Sequence, residues 1–234
     1  EEIRKAIERS IIQVEYLQEV PVEEGVTATF VDAGHIPGSA SVILKLTTDG
    51  SDHTLVFSGD IGPGEHPFLN PPDLQELGSI DADLLVVEST YGNVRRDAAS
   101  KGLQKFSNIM RSAHKEGDLV IIPSFSLDRT QRIIAAIGET INQYPLLQDL
   151  DVAVGGKSSC LLTQLYLKFQ KDQQRYDNYF KEQFWSETPL LPVFWEYIRG
   201  TECSCWKCES EDYIDFADFK SDYDVIVTPS GFGT

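Results

Sequence analysis

The sequence has no long apolar run and no targeting segment. Its apolar stretches, such as Leu84–Val87 and Leu119–Ile122, are far shorter than the roughly 18 residues that a membrane-spanning helix needs. Residues 1–10 are charged and have a helical pattern, without the apolar core of a secretory signal. We therefore expect no membrane partner and a cytoplasmic location.

Basic residues are scarce, with 20 Lys and Arg against 37 Asp and Glu, which gives a net charge of −17. Such a charge opposes indiscriminate binding to nucleic acid. The charge is uneven, because residues 95–115 contain six Lys or Arg and one Asp, whereas residues 201–224 contain eight acidic residues and two Lys. A local basic surface on an acidic protein is therefore compatible with the sequence.

Cysteine is also rare: the sequence has four, and three of them are Cys203, Cys205 and Cys208. This spacing is typical of a metal-ligand cluster rather than of a disulfide framework, and it suits a reducing compartment. Structural zinc usually takes four ligands, so a zinc site here needs one more from another residue or chain. Ordinary loop cysteines are the alternative.

The first part of the chain is predicted to be rich in β-strands. Ile12–Val20 and Val26–Val31 alternate apolar and polar residues, as half-buried strands do. Ser41–Leu46 and Thr54–Phe57 are rich in β-branched and aromatic residues, and the turn-forming pair Asp49-Gly50 lies between them. We interpret these two segments as a hairpin.

After residue 80 the pattern changes to apolar strands that alternate with amphipathic helices. The strands are predicted at Ala82–Val87, Asp118–Ile122, Asp151–Val154 and Asp224–Val227, and the helices over residues 97–116, 128–142 and 158–171. Such alternation builds a parallel sheet covered by helices, so the predicted fold class is α/β. Residues 172–223 are less regular, and we interpret them as a helix with an acidic, cysteine-containing insertion.

Two residues that suit metal binding are brought together by the hairpin. His35 lies in a loop of small residues after one strand, and Asp60 closely follows another. Antiparallel strands that meet at Asp49-Gly50 place these two residues at the same end, where imidazole and carboxylate suit zinc or another divalent metal. The simpler alternatives are a loop histidine without a role and an aspartate that shapes a turn.

Glu88 follows four apolar residues at the end of the next strand. Burying a carboxylate in such a place is costly unless it has a partner. We therefore expect a basic or metal-linked partner for Glu88.

Four motifs occur in order along the chain: Gly34-His-Ile-Pro-Gly-Ser-Ala40, Ser58-Gly-Asp60, Glu88-Ser-Thr-Tyr-Gly92 and Ile122-Pro-Ser-Phe-Ser-Leu-Asp-Arg-Thr-Gln131. Together they resemble the metallo-β-lactamase-fold hydrolases of the β-CASP group, nucleases that include the cleavage and polyadenylation endonuclease. The resemblance runs from about residue 20 to about residue 170 and resumes at residues 225–234. The Glu-Ser-Thr-Tyr-Gly form is similar to that of the RNA-cleaving members.

The resemblance implies a partial metallo-β-lactamase αββα domain over residues 1–94 and a β-CASP cap domain over residues 95–234, with a parallel sheet flanked by helices. It implies a zinc-dependent phosphodiester hydrolase that acts on RNA. By the same resemblance His35 is a ligand of one metal, Asp60 bridges two zinc ions, and Glu88 hydrogen-bonds a catalytic histidine. The two metals would lower the pKa of a bridging water that attacks phosphorus.

The resemblance also implies residues that this sequence lacks. The main metal motif of the family, His-x-His-x-Asp-His, lies upstream of the matched region, and its later histidines lie downstream. The four histidines of the sequence are His35, His53, His66 and His114, too few for two metals. The chain also starts without Met and ends just past an apolar run, so we expect a piece of a longer nuclease that is inactive alone.

Two alternative functions stay open. One is a non-catalytic β-CASP subunit that binds RNA or a nuclease partner, against which an intact upstream metal motif would argue. The other is a metallo-hydrolase of small molecules, against which the strand–helix units after Glu88 argue. The sequence also leaves a homodimer open.

Four residues follow strands of the predicted parallel sheet: Ser124, Arg129, Ser158 and Ser230. Ligands bind at this carboxyl edge in open α/β sheets, and helix N-termini favour phosphate. These residues are therefore candidate contacts for substrate phosphates. Helix capping by a serine and a structural ion pair for Arg129 are the alternatives.

Overall fold

The computed structural model describes residues 10–95, 98–185 and 223–229. The chain divides into two compact units, Glu1–Gly92 and Asn93–Thr234. Each unit has its own β-sheet, and together they make a mixed α/β protein.

The first unit contains a five-stranded mixed sheet. Its strands, in their order across the sheet, are β1 (Val20–Glu23), β2 (Val26–Asp32), β3 (Ala40–Thr48), β4 (Ser51–Phe57) and β5 (Leu84–Val86). The first four strands pair in antiparallel fashion, and β5 runs parallel to β4. The sheet therefore adds one parallel strand to an antiparallel meander.

The predicted hairpin is β3 and β4, and it is longer than the sequence pattern indicates. Pairing extends to Thr48 and Ser51, directly beside the turn. Asp49 and Gly50 have φ angles of 52° and 75°, and positive φ at both central residues matches the twist of the flanking strands. The Asp-Gly pair thus fixes the register of the hairpin.

One face of this sheet is covered by the segment before β5. Val31, Ile43 and Val56 are buried in adjacent strands, and Leu77 and Ile80 pack against them. A short helix, α1 (Leu74–Gly78), begins in this segment, where the Asp73 carboxylate accepts a hydrogen bond from the Glu76 N–H at 3.0 Å. Burial of each aliphatic side chain contributes about 1.5–3 kcal/mol.

The second unit contains a three-stranded parallel sheet with helices. The strands are β6 (Val120–Ser124), β8 (Val225–Pro229) and β7 (Val152–Val154), in that order. The helices are α2 (Ala99–Glu116), α3 (Arg129–Gln143), α4 (Lys157–Lys171), α5 (Gln173–Tyr176) and α6 (Glu182–Trp185), with a 3-10 turn at Pro145–Leu147. The strand β8, which is the last of those described, is thus the central strand of the sheet.

The core of the second unit lies where the helices meet this sheet. Met110 of α2 and Ile137 of α3 are almost completely buried with Val225 and Val227 of β8. The helix α2 ends at Gly117, whose φ of 68° supplies the left-handed conformation common after a helix. Helix length and core position therefore follow from local sequence signals here.

Three predictions of secondary structure need comment. The strand predicted over Ile12–Val20 is wrong, because Leu17 has a φ of 63° and donates its N–H to the carbonyl of Phe30, so strand pairing starts only at Val20. The strand within Ala82–Val87 joins the first sheet, since it pairs with β4. Of the segment 172–223, two short helices are observed, and residues 186–222 lie outside the described part.

Candidate active site

Three loops that carry predicted site residues lie at one end of the five-stranded sheet. His35 lies between β2 and β3, Asp60 follows β4, and Glu88 follows β5. The register pairs Asp32 with Ala40 and Phe57 with Val86, which brings the ends of these strands to the same edge. The predicted juxtaposition of His35 and Asp60 is therefore observed, and Glu88 lies at the same end, whereas the roles of the three residues stay predictions.

The His35 loop is held in shape by its own polar groups. The Ser39 hydroxyl accepts hydrogen bonds from the N–H groups of His35 and Ile36 at 3.0 and 3.3 Å. The Gly34 N–H donates to the Asp32 carboxylate at 2.8 Å. Burial raises the pKa of Asp32, although the bond from Gly34 opposes this change. The backbone that presents His35 is thus ordered by short-range hydrogen bonds.

The Asp60 loop is fastened to the His35 loop. The N–H of Gly62 donates to the carbonyl of Ala33 at 2.8 Å. Asp60 itself is exposed at the sheet end. The main chain after Asp60 is therefore anchored by Gly62. Because Asp60 is exposed, its carboxylate is accessible to solvent and to a ligand.

Glu88 receives its hydrogen bonds from the main chain. The Ile61 N–H donates to Oε1 at 2.9 Å, and the Thr90 N–H donates to Oε2 at 3.2 Å. These bonds, with the Ile61 N–H first, lower the pKa of Glu88, and the nearby imidazole of His35 adds a smaller effect in the same direction. The carboxylate is therefore ionised at neutral pH.

Two main-chain N–H groups donate to the two oxygens of Glu88. These donors were not predicted from the sequence, and the basic or metal-linked partner expected for Glu88 stays a prediction. The Thr90 N–H is available because β5 ends at Val86, whereas the Ile61 N–H comes from the loop that follows β4.

The described residues do not complete a metal site. No three His, Cys, Asp or Glu side chains within residues 10–95, 98–185 and 223–229 are placed to hold a metal ion together. A catalytic zinc usually takes three protein ligands. His35 and Asp60 supply an imidazole and a carboxylate, which are suitable donors but too few.

In the second unit, candidate phosphate contacts lie at the carboxyl edge of the parallel sheet. Ser124 ends β6, and Ser158 lies in the first turn of α4 after β7. Arg129 and Ser158 are exposed, whereas the hydroxyl of Ser124 is buried and shares a 2.7 Å hydrogen bond with Thr130. The structure thus brings these residues to one edge but engages Ser124 internally.

The ion pair considered for Arg129 is made by a neighbour. Asp128 is buried and lies 3.6 Å from Arg132. Its carboxylate also accepts a hydrogen bond from the Tyr166 hydroxyl at 3.3 Å, and burial raises the pKa of Tyr166. Ser230, Cys203, Cys205 and Cys208 lie outside the described residues.

Two residues of the site were missed from the sequence. Ser58 accepts a hydrogen bond from the Glu88 N–H at 2.9 Å, and Gly62 anchors the Asp60 loop. The available signal was their position, since Ser58 follows β4 directly before Gly-Asp, and Gly62 lies two residues after Asp60. Neither pattern identifies which loop the residue contacts.

No helix in the described part of the chain has the length and apolar character needed to cross a membrane. No family model matches the sequence.

Ribonuclease TTHA0252 from Thermus thermophilus is 31% identical over 178 residues, which cover 75% of this chain and 38% of that protein.

Two further relatives are also ribonucleases by name. RNase aCSPSF2 from Saccharolobus solfataricus is 28% identical over 246 aligned residues, covering 97% of this chain and 46% of that protein. Endoribonuclease YSH1 from Yarrowia lipolytica is 26% identical over 179 residues, covering 75% of this chain and 20% of that protein. The chain thus spans less than half the length of these relatives. By its similarity to these ribonucleases, at 31% identity over three quarters of its length for the Thermus protein, the chain belongs to the β-CASP group of the metallo-β-lactamase fold.

Proposed function

We propose that this chain is part of a zinc-dependent phosphodiester hydrolase that cleaves RNA. The observation that carries the proposal is the meeting of His35, Asp60 and the ionised Glu88 at one sheet end. The ribonuclease names of the relatives support RNA as the substrate class. Because the chain spans less than half of those relatives, the activity is proposed for a longer protein.

The proposed domains follow the two compact units. Residues 1–94 would form part of an αββα metallo-β-lactamase domain, and residues 95–234 a β-CASP cap with the insertion at about 172–223. The mixed sheet of the first unit and the helix-flanked parallel sheet of the second unit support this assignment.

Two zinc ions are the proposed cofactor. His35 would bind one of them, and Asp60 would bridge both, with the remaining ligands supplied by residues outside the described part. Glu88 would orient a histidine. Its ordered, ionised carboxylate supports an orienting role. A carboxylate can accept about four hydrogen bonds, and the N–H groups of Ile61 and Thr90 use two of these sites, so Glu88 can also accept a hydrogen bond from a histidine.

RNA phosphates would be bound at the carboxyl edge of the parallel sheet. Arg129 and Ser158 are exposed there, and Ser230 follows β8 in the sequence. Ser124 would serve only if its hydroxyl left Thr130. A cytoplasmic location and a homodimer, without a membrane partner, belong to the same proposal.

A non-catalytic β-CASP subunit that binds RNA or a nuclease partner is the second candidate. The observation that favours it is the incomplete metal-ligand set among the described residues. RNA binding without cleavage by the longer protein would select this alternative.

The test uses the longer protein with single-stranded RNA labelled at one end. We expect cleavage that requires zinc and stops with a chelator, and loss of cleavage in His35→Ala and Asp60→Ala. The matched control is His53→Ala, because His53 lies on β4 near the opposite end of the same sheet. We expect this control to cleave at the rate of the unmodified protein.

The 234-residue chain is tested beside the longer protein and is expected not to cleave. Chelator-sensitive cleavage by the chain alone would contradict our account of the ligands. Cleavage by the longer protein that survives both His35→Ala and Asp60→Ala would contradict the assignment of the site.

A further inference from the structure

The turn that carries Asp60 is closed by hydrogen bonds to a single residue. The Glu88 N–H donates to Oγ of Ser58 at 2.9 Å. The Glu88 side chain returns to the same turn, since its Oε1 accepts the Ile61 N–H at 2.9 Å. Residue 88 therefore binds both ends of the segment 58–61, and Asp60 lies inside the closed ring.

Ser58 is itself fixed on its other sides. Its N–H donates to the Val86 carbonyl at 2.9 Å, and its carbonyl accepts the buried Ser41 hydroxyl at 2.7 Å. Its own hydroxyl donates to the carbonyl of Gly59 at 2.7 Å. The hydroxyl is thus used as acceptor and as donor at once, and the residue is only 5% exposed.

We propose that Ser58 is a positioning residue for RNA cleavage, whose hydroxyl fixes Glu88 and the Gly59–Ile61 turn relative to each other. The proposal rests on the proposed function for its catalytic consequence. Gly59 contributes to the same fixation, because a Cβ there would lie 2.9 Å from the carbonyl oxygen of Ala40. The turn is therefore hydrogen-bonded to Glu88 on one side, and on the other side Gly59 packs closely against Ala40 of β3.

The chemistry of the link explains why a serine is needed. An alanine at position 58 can neither accept from the Glu88 N–H nor donate to the Gly59 carbonyl. Water cannot readily replace the hydroxyl where the side chain is buried. Threonine retains the hydroxyl and adds one methyl group, so Ser58→Thr separates loss of the link from a change of packing.

The first measurement is amide hydrogen exchange in the 234-residue chain. In Ser58→Ala we expect the Glu88 and Ile61 N–H groups to exchange about three- to tenfold faster, the change expected when one hydrogen bond is lost. Ser58→Thr should restore slow exchange. The matched control is Ser107→Ala, which removes another buried serine hydroxyl, hydrogen-bonded to Thr140 at 2.9 Å in the second unit.

The second measurement is the kinetics of RNA cleavage by the longer protein. Ser58→Ala should lower kcat by about 10- to 100-fold at unchanged KM, because displacement of a reacting group costs rate rather than binding. Ser58→Thr should recover most of kcat, and Ser107→Ala should leave kcat unchanged. A merely structural serine would lower the unfolding temperature in both alanine variants without this selective loss.

The outcomes are distinguishable. Unchanged exchange at Glu88 and Ile61 in Ser58→Ala, or a Thr variant as impaired as the Ala variant, would overturn the proposal. If the unmodified longer protein does not cleave RNA, the proposed function fails together with the catalytic consequence, whereas the exchange measurement still decides whether Ser58 fixes the turn.

Discussion

Gly62 packs directly against the backbone of Gly34. A Cβ atom at position 62 would lie 1.8 Å from the Gly34 carbonyl oxygen and 2.8 Å from the His35 nitrogen. Both atoms belong to the main chain, so a side chain at position 62 can be accommodated only if the His35 loop moves.

We expect Gly62→Ala to displace the His35 loop and to lower the free energy of unfolding by about 1–3 kcal/mol, the range for overpacking. Urea unfolding measures the loss, and the NMR signal of the His35 imidazole reports the displacement. Gly78→Ala is the control, since Gly78 ends α1 with open space around it. Equal stability of both variants would contradict this account.

Glu88→Gln in the longer protein should lower turnover by roughly 10²-fold, the scale of general acid–base assistance. The glutamine carbonyl can accept only one of the two N–H groups from Ile61 and Thr90, so the variant loses order as well as charge. Single-turnover cleavage and zinc content are the measurements. We expect the zinc content to change little, and an unaffected cleavage rate would make Glu88 a structural residue.

The stability of the chain should depend on pH through Glu88. Its pKa is lowered in the folded state, so the ionised form stabilises the fold above the ordinary glutamate range, and this contribution is lost as pH falls through the folded pKa. The stability difference between the unmodified chain and Glu88→Gln should therefore shrink from pH 7 towards acid. The exposed Glu24 provides the control Glu24→Gln. If the stability difference between the unmodified chain and Glu88→Gln grew towards acid, the pKa of Glu88 would be raised by folding rather than lowered.

Asp128, the residue directly before α3, has a strained backbone conformation. Its φ and ψ are 64° and −53°, and the Arg129 N–H donates to the Leu127 carbonyl at 2.7 Å across it, which is the rare form of the γ-turn. Such strain costs about 1–3 kcal/mol for a residue with a Cβ.

Comparison of Asp128→Gly with Asp128→Ala isolates this strain, because both variants lose the carboxylate that binds Tyr166 and Arg132. We expect the glycine variant to be more stable than the alanine variant by about 1 kcal/mol. Thermal or urea unfolding measures the difference. If Asp128→Ala were more stable than Asp128→Gly, residue 128 would have left the positive-φ conformation in the alanine variant, and the strain would not persist.

The cysteine cluster gives a prediction about metal content. If Cys203, Cys205 and Cys208 bind zinc, their joint replacement by serine should remove about one zinc ion per chain. Elemental analysis of the purified chain and of the triple variant measures the difference, with Cys160→Ser as the control. Equal zinc content would identify the three as ordinary loop cysteines.

The fold was predicted best where local signals suffice. The Asp49-Gly50 turn fixed the hairpin, and α2 ends at Glu116 as predicted, directly before Gly117. The strand over Ile12–Val20 was predicted wrongly because alternation of residue types cannot reveal the positive φ of Leu17, which depends on a contact with Phe30. Local sequence patterns likewise could not predict which distant strands pair with each other, such as β6 with β8.

The candidate site was predicted in outline for the same reason. The hairpin register places His35 and Asp60 together, so their meeting follows from a local turn. The hydrogen bonds that join the loops of the site to one another connect residues far apart in sequence, such as Ser58 and Glu88. Such contacts depend on which loops approach each other, a property of the whole sheet rather than of any motif.

The central place of β8 has a consequence for biosynthesis. Val225 pairs with both Val120 and Val152, so neither β6 nor β7 can pair with β8 until the ribosome has made residues 225–229. The parallel sheet therefore forms late, after a long chain segment has been released.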